Sequence, residues 1–374
     1  MNIPYNKPFL VGNELNYIQN AIERGQLAGN GYYTKKCQEF FQTRYGFKKC
    51  FLTTSCTDAL EMAAILADVH EGDEVIMPSF TFVSTANAFV LRGAKIVFAD
   101  SEKDTPNIDL SKVEELITDK TKVLVIVHYA GVACDMDKVL EICKEYNLIL
   151  VEDAAHAIDS YYKSKPLGSF GNLATFSFHE TKNIISGEGG MLVVNDERYI
   201  KRAEIIWEKG TNRAEFIRGD VNKYEWVDIG SSFLPSELTS AFLYAQLENM
   251  DIIQNKRKKI WNYYNEKLKS LEEKGIIRLP KIPSYATNNA HIFYIICKNA
   301  ETKNNLLTNL KQNGILAVSH YISLHSSPYY ETKHDGRSLH NSDFYSDCLI
   351  RLPLYFDINE AELNYIVSKI KDIL

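Results

Sequence analysis

The segment FSFHETKNIISGEGG, Phe176–Gly190, places one lysine, Lys182, between a short apolar strand and a glycine-rich turn. A lysine in this position, followed by small residues, suits an amine that bonds covalently to a flat cofactor. Most lysines are solvated surface residues, and the segment alone also fits that interpretation. The flanking sequence distinguishes a cofactor-binding lysine from a surface lysine.

Around this segment, short apolar strands alternate with helical segments from about residue 50 to residue 200. The run LILV at 148–151 is one such strand, and Met136–Tyr146 has the spacing of a helix. This alternation predicts a mostly parallel sheet that is covered by helices on both faces. In such sheets ligands bind at the carboxyl ends of the strands.

The last third of the chain is organised differently. A long charged helix is predicted over Ile252–Leu271, followed by a strand at Tyr294–Cys297 and a C-terminal helix over Asn359–Ile373. We therefore predict two domains. Residues 1–250 form a large domain with an N-terminal arm, and residues 251–374 form a small α/β domain.

The composition is that of an ordinary globular protein, with 45% hydrophobic and 24% charged residues among 374. A net charge of −6 without a basic stripe argues against binding to nucleic acid or to a membrane surface. The seven cysteines are scattered without a CxxC pair, which disfavours a disulfide framework and a structural zinc site. The N-terminus lacks the features of a signal peptide, and no apolar run is long enough to span a membrane. We therefore expect a protein of the reducing cytoplasm.

A hydroxyl-rich helix start follows the apolar strand at residue 51. The residues TTSCT, Thr53–Thr57, precede a helix-forming run that begins with Asp58. Hydroxyl groups at a helix start cap free N–H groups, and a helix N-terminus also attracts phosphate. Both interpretations fit, whereas an ATP-binding P-loop is disfavoured because the Gly-Lys-Ser/Thr ending is absent.

Three further candidates follow strand ends. Phe82 is either an aromatic that stacks on a flat ring or a core residue. Asp153, two residues after LILV, is either a helix cap or the partner of a cationic ligand group. His156 lies three residues further on, and by itself it is more typical of a satisfied polar residue.

The helix start, the aromatic, the strand-end acid and the lysine occur in an order that suits pyridoxal 5′-phosphate. Its phosphate needs N–H and hydroxyl donors, its ring needs packing, its ring nitrogen needs a carboxylate, and its aldehyde bonds to a lysine. The ordered set predicts this cofactor. No metal site is predicted, because His179-Glu180 would need a histidine at position 183, which is Asn183.

The chain resembles the DegT/StrS-type family of sugar aminotransferases over nearly all of its length. This resemblance implies a fold-type-I aminotransferase, in which a mostly parallel seven-stranded-type sheet is flanked by helices and accompanied by a smaller C-terminal α/β domain. The segments that carry it are TTSCTDALEMAA, GDEVIMPSFTFVSTANAFVLRGAKIVF, VHYAGVACDMD, VEDAAHA, FSFHETKN with GEGG, EKGTNR and KYEWVDIGSSFLPSELTSAFLYAQLE.

The resemblance also implies roles for individual residues. Lys182 matches the lysine that bonds to the cofactor and moves the proton during transfer. Asp153 matches the acid that pairs with the ring nitrogen, His156 the residue beside the 3-hydroxyl, and Phe82 the aromatic that stacks on the ring.

Phosphate binding is implied for Thr57, for the backbone of Asp58 and for Ser177. Ser232 lies where many relatives have an asparagine that reaches the phosphate of the neighbouring subunit, and this departure leaves its role open. The family implies a homodimer with shared active sites.

The implied reaction has two halves. L-glutamate gives its amino group to the cofactor and leaves as 2-oxoglutarate, and a nucleotide-linked keto-sugar then takes the amino group. HETKN, HYAGVACDMD and DIGSSFLPSEL are similar to the branch that converts dTDP-4-keto-6-deoxyglucose to dTDP-4-amino-4,6-dideoxygalactose for surface polysaccharides such as lipopolysaccharide O-antigen. A gluco-forming 4-transaminase and a 3-keto-sugar transaminase remain alternatives.

The substrate contacts are less specific. The segment SHYISLHSSP resembles the sugar-facing loop of the family, so His320, Tyr321 and His325 either contact the sugar or cap local backbone. Arg213 suits a phosphate or the donor carboxylate, or lies on the surface. Tyr5, in the N-terminal arm, is a further candidate.

Two other functions fit the same fold. A sugar 3-dehydrase resembles this family but has a histidine in place of the covalent lysine, so a lysine at position 182 favours transfer. A noncatalytic regulator is the second, since fold does not fix function. The presence of both Lys182 and Asp153 argues against it.

Overall fold

The computed structural model describes residues 1–374 and contains thirteen strands. In chain order they are β1 Lys49–Thr53, β2 Glu74–Pro78, β3 Lys95–Ala99, β4 Thr121–Val127, β5 Ile149–Asp153, β6 Tyr161–Tyr162, β7 Lys165–Pro166, β8 Leu173–Ser177, β9 Gly190–Val194, β10 Ile277–Arg278, β11 Phe293–Cys297, β12 Val318–Ser319 and β13 Leu349–Leu352.

Twelve α-helices connect and cover the strands. They are α1 Glu14–Glu23, α2 Tyr32–Tyr45, α3 Cys56–Leu66, α4 Val83–Val90, α5 Met136–Glu145, α6 Glu197–Trp207, α7 Arg213–Arg218, α8 Glu237–Glu248, α9 Met250–Glu273, α10 Ala300–Gln312, α11 His340–Cys348 and α12 Glu360–Ile373. None of them has an apolar stretch long enough to cross a bilayer.

Seven strands form the large sheet, in the order β1-β9-β8-β5-β4-β2-β3. β9 runs antiparallel to both neighbours, and all other pairs in the sheet are parallel. The predicted mostly parallel α/β architecture is therefore confirmed. The strands are nearly continuous apolar runs because helices bury both faces of the sheet.

A second sheet of four antiparallel strands, β10-β11-β13-β12, has a core of its own with α9, α10 and α12. The N-terminal arm lies against this unit, since the N–H of Ile3 donates to Gly314 and the N–H of Leu316 donates to Ile3. Ile3 is fully buried there. The division of the chain at residue 250 stays a prediction.

The polar segment Gly210–Trp226 contains the short helix α7, which the sequence pattern does not predict. Its six residues are too few to show a helical period in the sequence. An ion pair at 2.7 Å connects Glu215 of α7 to Lys201 of the neighbouring helix α6. α4, which begins directly after Phe82, was not predicted either.

Candidate active site

The carboxyl ends of β1, β2, β4, β5 and β8 surround a cavity of about 510 Å³. It brings together nine of the predicted residues: Tyr5, Thr57, Phe82, Asp153, His156, Ser177, Lys182, His320 and Tyr321. A larger, open groove of about 810 Å³ lies at the opposite edge of the sheet and contains none of them.

Asp153 ends β5 and is buried. Its carboxylate accepts the hydroxyl of Thr85 at 2.7 Å and the N–H of Ala155 at 3.1 Å. Burial raises the pKa of Asp153, whereas these two bonds and the nearby Lys182 oppose the rise. A buried carboxylate of this kind is suited to a cationic partner such as a protonated ring nitrogen.

The neighbouring acid, Glu152, points to the other face of the sheet and anchors the strand end. Its fully buried carboxylate accepts the N–H groups of Gly168, Phe170 and Gly171 at 2.6–2.8 Å and lies 3.0 Å from His128 Nε2. Burial alone would raise the pKa of Glu152, but these bonds lower it below its ordinary value. The alternation of side chains along β5 thus gives one structural and one cavity-facing carboxylate.

Lys182 follows β8 in a tight turn, and its N–H donates to the carbonyl of His179 at 2.8 Å. Burial lowers the pKa of its amine to about 8, with Cys56 and Asp153 opposing this shift and Arg351 adding to it. The amine is therefore partly neutral near neutral pH, which a surface lysine is not. The turn that follows closes at Gly187, whose φ of +81° favours glycine.

The first turn of α3 faces the cavity. Ser55 caps this helix by accepting the N–H of Asp58, and Thr57 Oγ1 lies 2.8 Å from Ser84 Oγ. A β-carbon on Gly190 would lie 2.4 Å from the nitrogen of Cys56, so glycine lets β9 approach the helix start. Hydroxyl groups beside a free helix N-terminus suit a phosphate.

His156 is buried, and its hydrogen bonds favour one tautomer of the imidazole. Its Nδ1 accepts the N–H of Ala130 at 3.3 Å, which leaves the proton on Nε2, 3.4 Å from Tyr321 Oη. Burial lowers the pKa of this imidazole well below its ordinary value, and Lys182 adds to that effect. His156 is thus a neutral donor at the cavity wall.

Aromatic rings form the wall towards the second sheet. The rings of His320 and Tyr321 stack at 3.6 Å, and Tyr129 Oη lies 2.8 Å from His320 Nδ1. Phe82 is 54% exposed, so it is not a core residue, and its ring centroid lies 6.1 Å from that of Tyr321. These rings offer flat surfaces to a ligand.

Four predicted residues lie outside the cavity. The N–H of Asp58 donates to the hydroxyl of Ser55, and Ser232 forms an isolated β-bridge with Glu208. Arg213 pairs with the same Glu208 at 3.0 Å. His325 is buried, with Nδ1 2.8 Å from Ser79 Oγ.

The cavity also contains residues that sequence reasoning missed. Thr85 and Cys56 are among them, and neither carries a distinctive pattern. The ring of His291 packs at a tilt against that of His156, with 4.3 Å between the ring centroids, and its Nδ1 lies 2.9 Å from Asn183 Oδ1. Arg351 had a signal, a single charge inside the apolar run LIRLPL.

The residues present fit pyridoxal 5′-phosphate. A partly neutral amine, a buried carboxylate and a hydroxyl-lined helix start face one chamber, with an exposed aromatic at its side. These are the groups that the aldehyde, the ring nitrogen, the phosphate and the ring face of this cofactor require.

Comparisons with known proteins agree with this chemistry. Residues 9–371 match the DegT/DnrJ/EryC1/StrS aminotransferase family. The chain is 31% identical to the spore coat polysaccharide biosynthesis protein SpsC of Bacillus subtilis, over 100% of this chain and 97% of that protein. It is 29% identical to GDP-perosamine synthase of Escherichia coli O157:H7, over 99% and 98% of the two chains. The PLP form of the putative sugar aminotransferase Spr1654 from Streptococcus pneumoniae superposes with a TM-score of 0.90 at 25% identity, covering 100% of this chain and 98% of that one.

Proposed function

This chain belongs to the DegT/DnrJ/EryC1/StrS aminotransferase family, and on that premise we propose that it aminates a nucleotide-linked sugar. The donor is L-glutamate and the acceptor is the C4 keto group of dTDP-4-keto-6-deoxyglucose. The product is dTDP-4-amino-4,6-dideoxygalactose, for surface polysaccharide biosynthesis. The observation that carries the proposal is that the partly neutral amine of Lys182 and the carboxylate of Asp153 share one chamber.

Pyridoxal 5′-phosphate is the cofactor of this fold, and when bound it supplies an aldehyde carbon and an electron-accepting ring. Lys182 would hold the aldehyde carbon, and its amine, once displaced by the incoming amino group, would accept and return a proton at the reacting carbon. Asp153 would keep the ring nitrogen protonated. Thr57 and Ser177, at the helix start and the end of β8, would hold the phosphate.

The sugar assignment rests on the cavity wall and on the relatives. His320, Tyr321 and Tyr5 offer stacking faces and hydrogen-bonding groups in a chamber of about 510 Å³. SpsC is named for polysaccharide biosynthesis, which supports the pathway class. Because one relative is named GDP-perosamine synthase, a GDP-linked acceptor is the main alternative to a dTDP-linked one. The main alternative for the stereochemistry of the product is that of a gluco-forming 4-transaminase.

We also propose a homodimer with shared active sites. Large apolar side chains are exposed on one segment of the chain, where Trp226 is 82% exposed. The others are Phe216, Ile217, Tyr224, Val227 and Ile229. Ser232 lies outside the cavity of its own chain, which fits a role towards a second copy. Sedimentation velocity is expected to give a dimer, and Trp226→Glu a shift towards monomer. A monomeric wild type would contradict this proposal.

The seven cysteines are all free, which supports the proposed cytoplasmic location. Lys182 favours transfer over the sugar 3-dehydrase reaction. The shared chamber of Lys182 and Asp153 favours an enzyme over a noncatalytic regulator.

The decisive experiment incubates the purified protein with dTDP-4-keto-6-deoxyglucose and L-glutamate and analyses the sugar by NMR. An axial amine at C4 identifies the galacto product and an equatorial amine the gluco product. Without product, a GDP-linked and a 3-keto sugar are tried next. A colourless protein that does not bind pyridoxal phosphate would reject the aminotransferase.

A further inference from the structure

One histidine of the chamber wall has a ring nitrogen without a partner. His291, in the loop before β11, is only 4% exposed and lines the same chamber as Lys182. Its Nδ1 lies 2.9 Å from Asn183 Oδ1, whereas its Nε2 makes no hydrogen bond within the chain. Nε2 is not among the unpartnered atoms that the fold seals from solvent, so it is open to the chamber.

The side-chain amide of Asn183 determines which nitrogen of His291 carries the proton. Asn183 Nδ2 donates to the carbonyl of Asn289 at 2.8 Å and to Gln254 Oε1 at 2.7 Å. Because a backbone carbonyl can only accept, this amide has one orientation, with Oδ1 towards His291. Oδ1 in turn can only accept, so Nδ1 of His291 carries the proton.

His291 does not carry a second proton on Nε2. Burial lowers the pKa of its imidazole well below its ordinary value, and the nearby His156 and Lys182 add to that effect. The ring packs against that of His156, with 4.3 Å between the centroids, so a charge on either ring would disfavour a charge on the other. Nε2 of His291 is therefore a fixed hydrogen-bond acceptor at the chamber wall.

The backbone around His291 is held on both sides. Arg257 Nη2 donates to the carbonyl of His291 at 2.6 Å, and the N–H of His291 donates to Asn289 Oδ1 at 3.0 Å. Asn289 Nδ2 donates to the carbonyls of His156 and Ile158, both at 2.7 Å. The position of the imidazole is thus set by the chain alone, and a donor for Nε2 has to come from a ligand.

The two proposed substrates differ in what they offer to such an acceptor. The carboxylates of glutamate, the diphosphate and the keto oxygen only accept hydrogen bonds, and the amino group of glutamate is transferred to the cofactor. The hydroxyl groups of the sugar ring can donate. Since an unpaired buried acceptor costs free energy, Nε2 of His291 favours a ligand that brings a hydroxyl to it.

We propose that Nε2 of His291 accepts a hydrogen bond from a ring hydroxyl of the acceptor sugar. This role rests on the proposed aminotransferase function and assigns to His291 a part in selecting the sugar. A site that pairs with a substrate hydroxyl discriminates against the analogue that lacks it, because the buried partner is then left unpaired.

The test measures the half-saturating concentration of the sugar for the amine form of the holoenzyme. It compares dTDP-4-keto-6-deoxyglucose with its 2-deoxy and 3-deoxy analogues, on wild type and on His291→Phe, which keeps a flat ring without nitrogen. In wild type, loss of the paired hydroxyl is expected to raise this concentration about 3- to 10-fold. In His291→Phe the parent sugar is already weaker by the same factor, and neither analogue is weaker still.

Two controls accompany this comparison. Half-saturation by glutamate is expected to stay unchanged in His291→Phe, and His70→Phe, at a side chain that is 59% exposed, is expected to behave as wild type with all three sugars. His291→Phe also removes the donor to Asn183 and is expected to melt at a lower temperature. Because the analogues are compared with the parent sugar within each protein, a general loss of affinity cancels.

Nitrogen-15 NMR of the histidine-labelled apoprotein gives a readout that needs neither cofactor nor turnover. The His291 signals, identified by their absence from His291→Phe, are expected to show a protonated Nδ1 and an unprotonated Nε2. The opposite tautomer would overturn the proposal. Analogues that bind wild type as well as the parent sugar does, or that weaken both proteins by the same factor, would also overturn it. A wild type that transfers no amine to any sugar nucleotide would reject the proposed function and this role together, whereas the other outcomes reject the role of His291 alone.

Discussion

The hydroxyl of Thr85 donates to Asp153 Oδ2 across 2.7 Å, and Thr81 Oγ1 lies 2.9 Å from the same Thr85 oxygen. Because the single proton of Thr85 goes to Asp153, Thr81 is the donor to Thr85. A relay of two threonines on the loop and helix after β2 therefore stabilises the charged form of the acid at the end of β5.

Thr85→Val removes this donor and is expected to raise the pKa of Asp153, since the bond from Thr85 lowers it. The acid limb of the kcat/KM profile then moves to higher pH, and activity at neutral pH falls about 10-fold for a bond to a charged group. Thr85→Ser keeps the hydroxyl and serves as the matched control. An unchanged pH profile in the valine variant would contradict the assignment.

Lys182→Ala is expected to abolish turnover and the visible absorbance of the bound cofactor, while the far-UV circular dichroism stays that of wild type. Lys182→Arg keeps the positive charge but has no amine that bonds to an aldehyde. It is therefore expected to be as inactive as the alanine variant. Activity near the wild-type level in either variant would reject the covalent role.

The lowered pKa of Lys182 also predicts how the rate at which the apoprotein binds pyridoxal phosphate covalently depends on pH. Only the neutral amine bonds to the aldehyde, so the capture rate rises with pH through a midpoint near 8, the value to which burial lowers the pKa. An ordinary lysine would give a midpoint near ~10.4. Stopped-flow absorbance measured from about pH 6.5 to about pH 9.5, a range that brackets a midpoint of about 8, distinguishes a buried from an ordinary lysine.

Sequence reasoning succeeded where one local pattern sufficed. Strands of the large sheet were predicted because strands buried on both faces are continuous apolar runs. Asp153 and Lys182, which line one cavity, were proposed because ligands bind at strand ends. α7 was missed because six residues show no period.

The rest of the site depends on tertiary contacts. Arg351 is about 170 residues from Lys182 along the chain, and only the docking of β13 beside the large sheet brings it into the chamber. His291, in the loop that precedes β11, packs against His156. Arg213, the arginine considered from the sequence, is instead paired with Glu208 outside the chamber.

The packing of β9 against the start of α3 gives the last prediction. In Gly190→Ala the new β-carbon would lie 2.3 Å from the carbonyl carbon of Ser55 and 2.4 Å from the nitrogen of Cys56, both backbone atoms that cannot turn away. The strand and the helix start have to separate, which is expected to lower the free energy of unfolding by about 1–3 kcal/mol. The separation is also expected to displace the N–H groups that we propose bind the phosphate.

The matched control is Gly46→Ala at the end of α2, where φ is +69° and no atom lies within 4 Å of the added carbon. It carries only the conformational cost of a left-handed residue, about 1 kcal/mol. Equilibrium dialysis with pyridoxal phosphate is expected to show weaker binding by Gly190→Ala and unchanged binding by Gly46→Ala. If both variants lose stability but neither loses affinity, the start of α3 does not hold the phosphate.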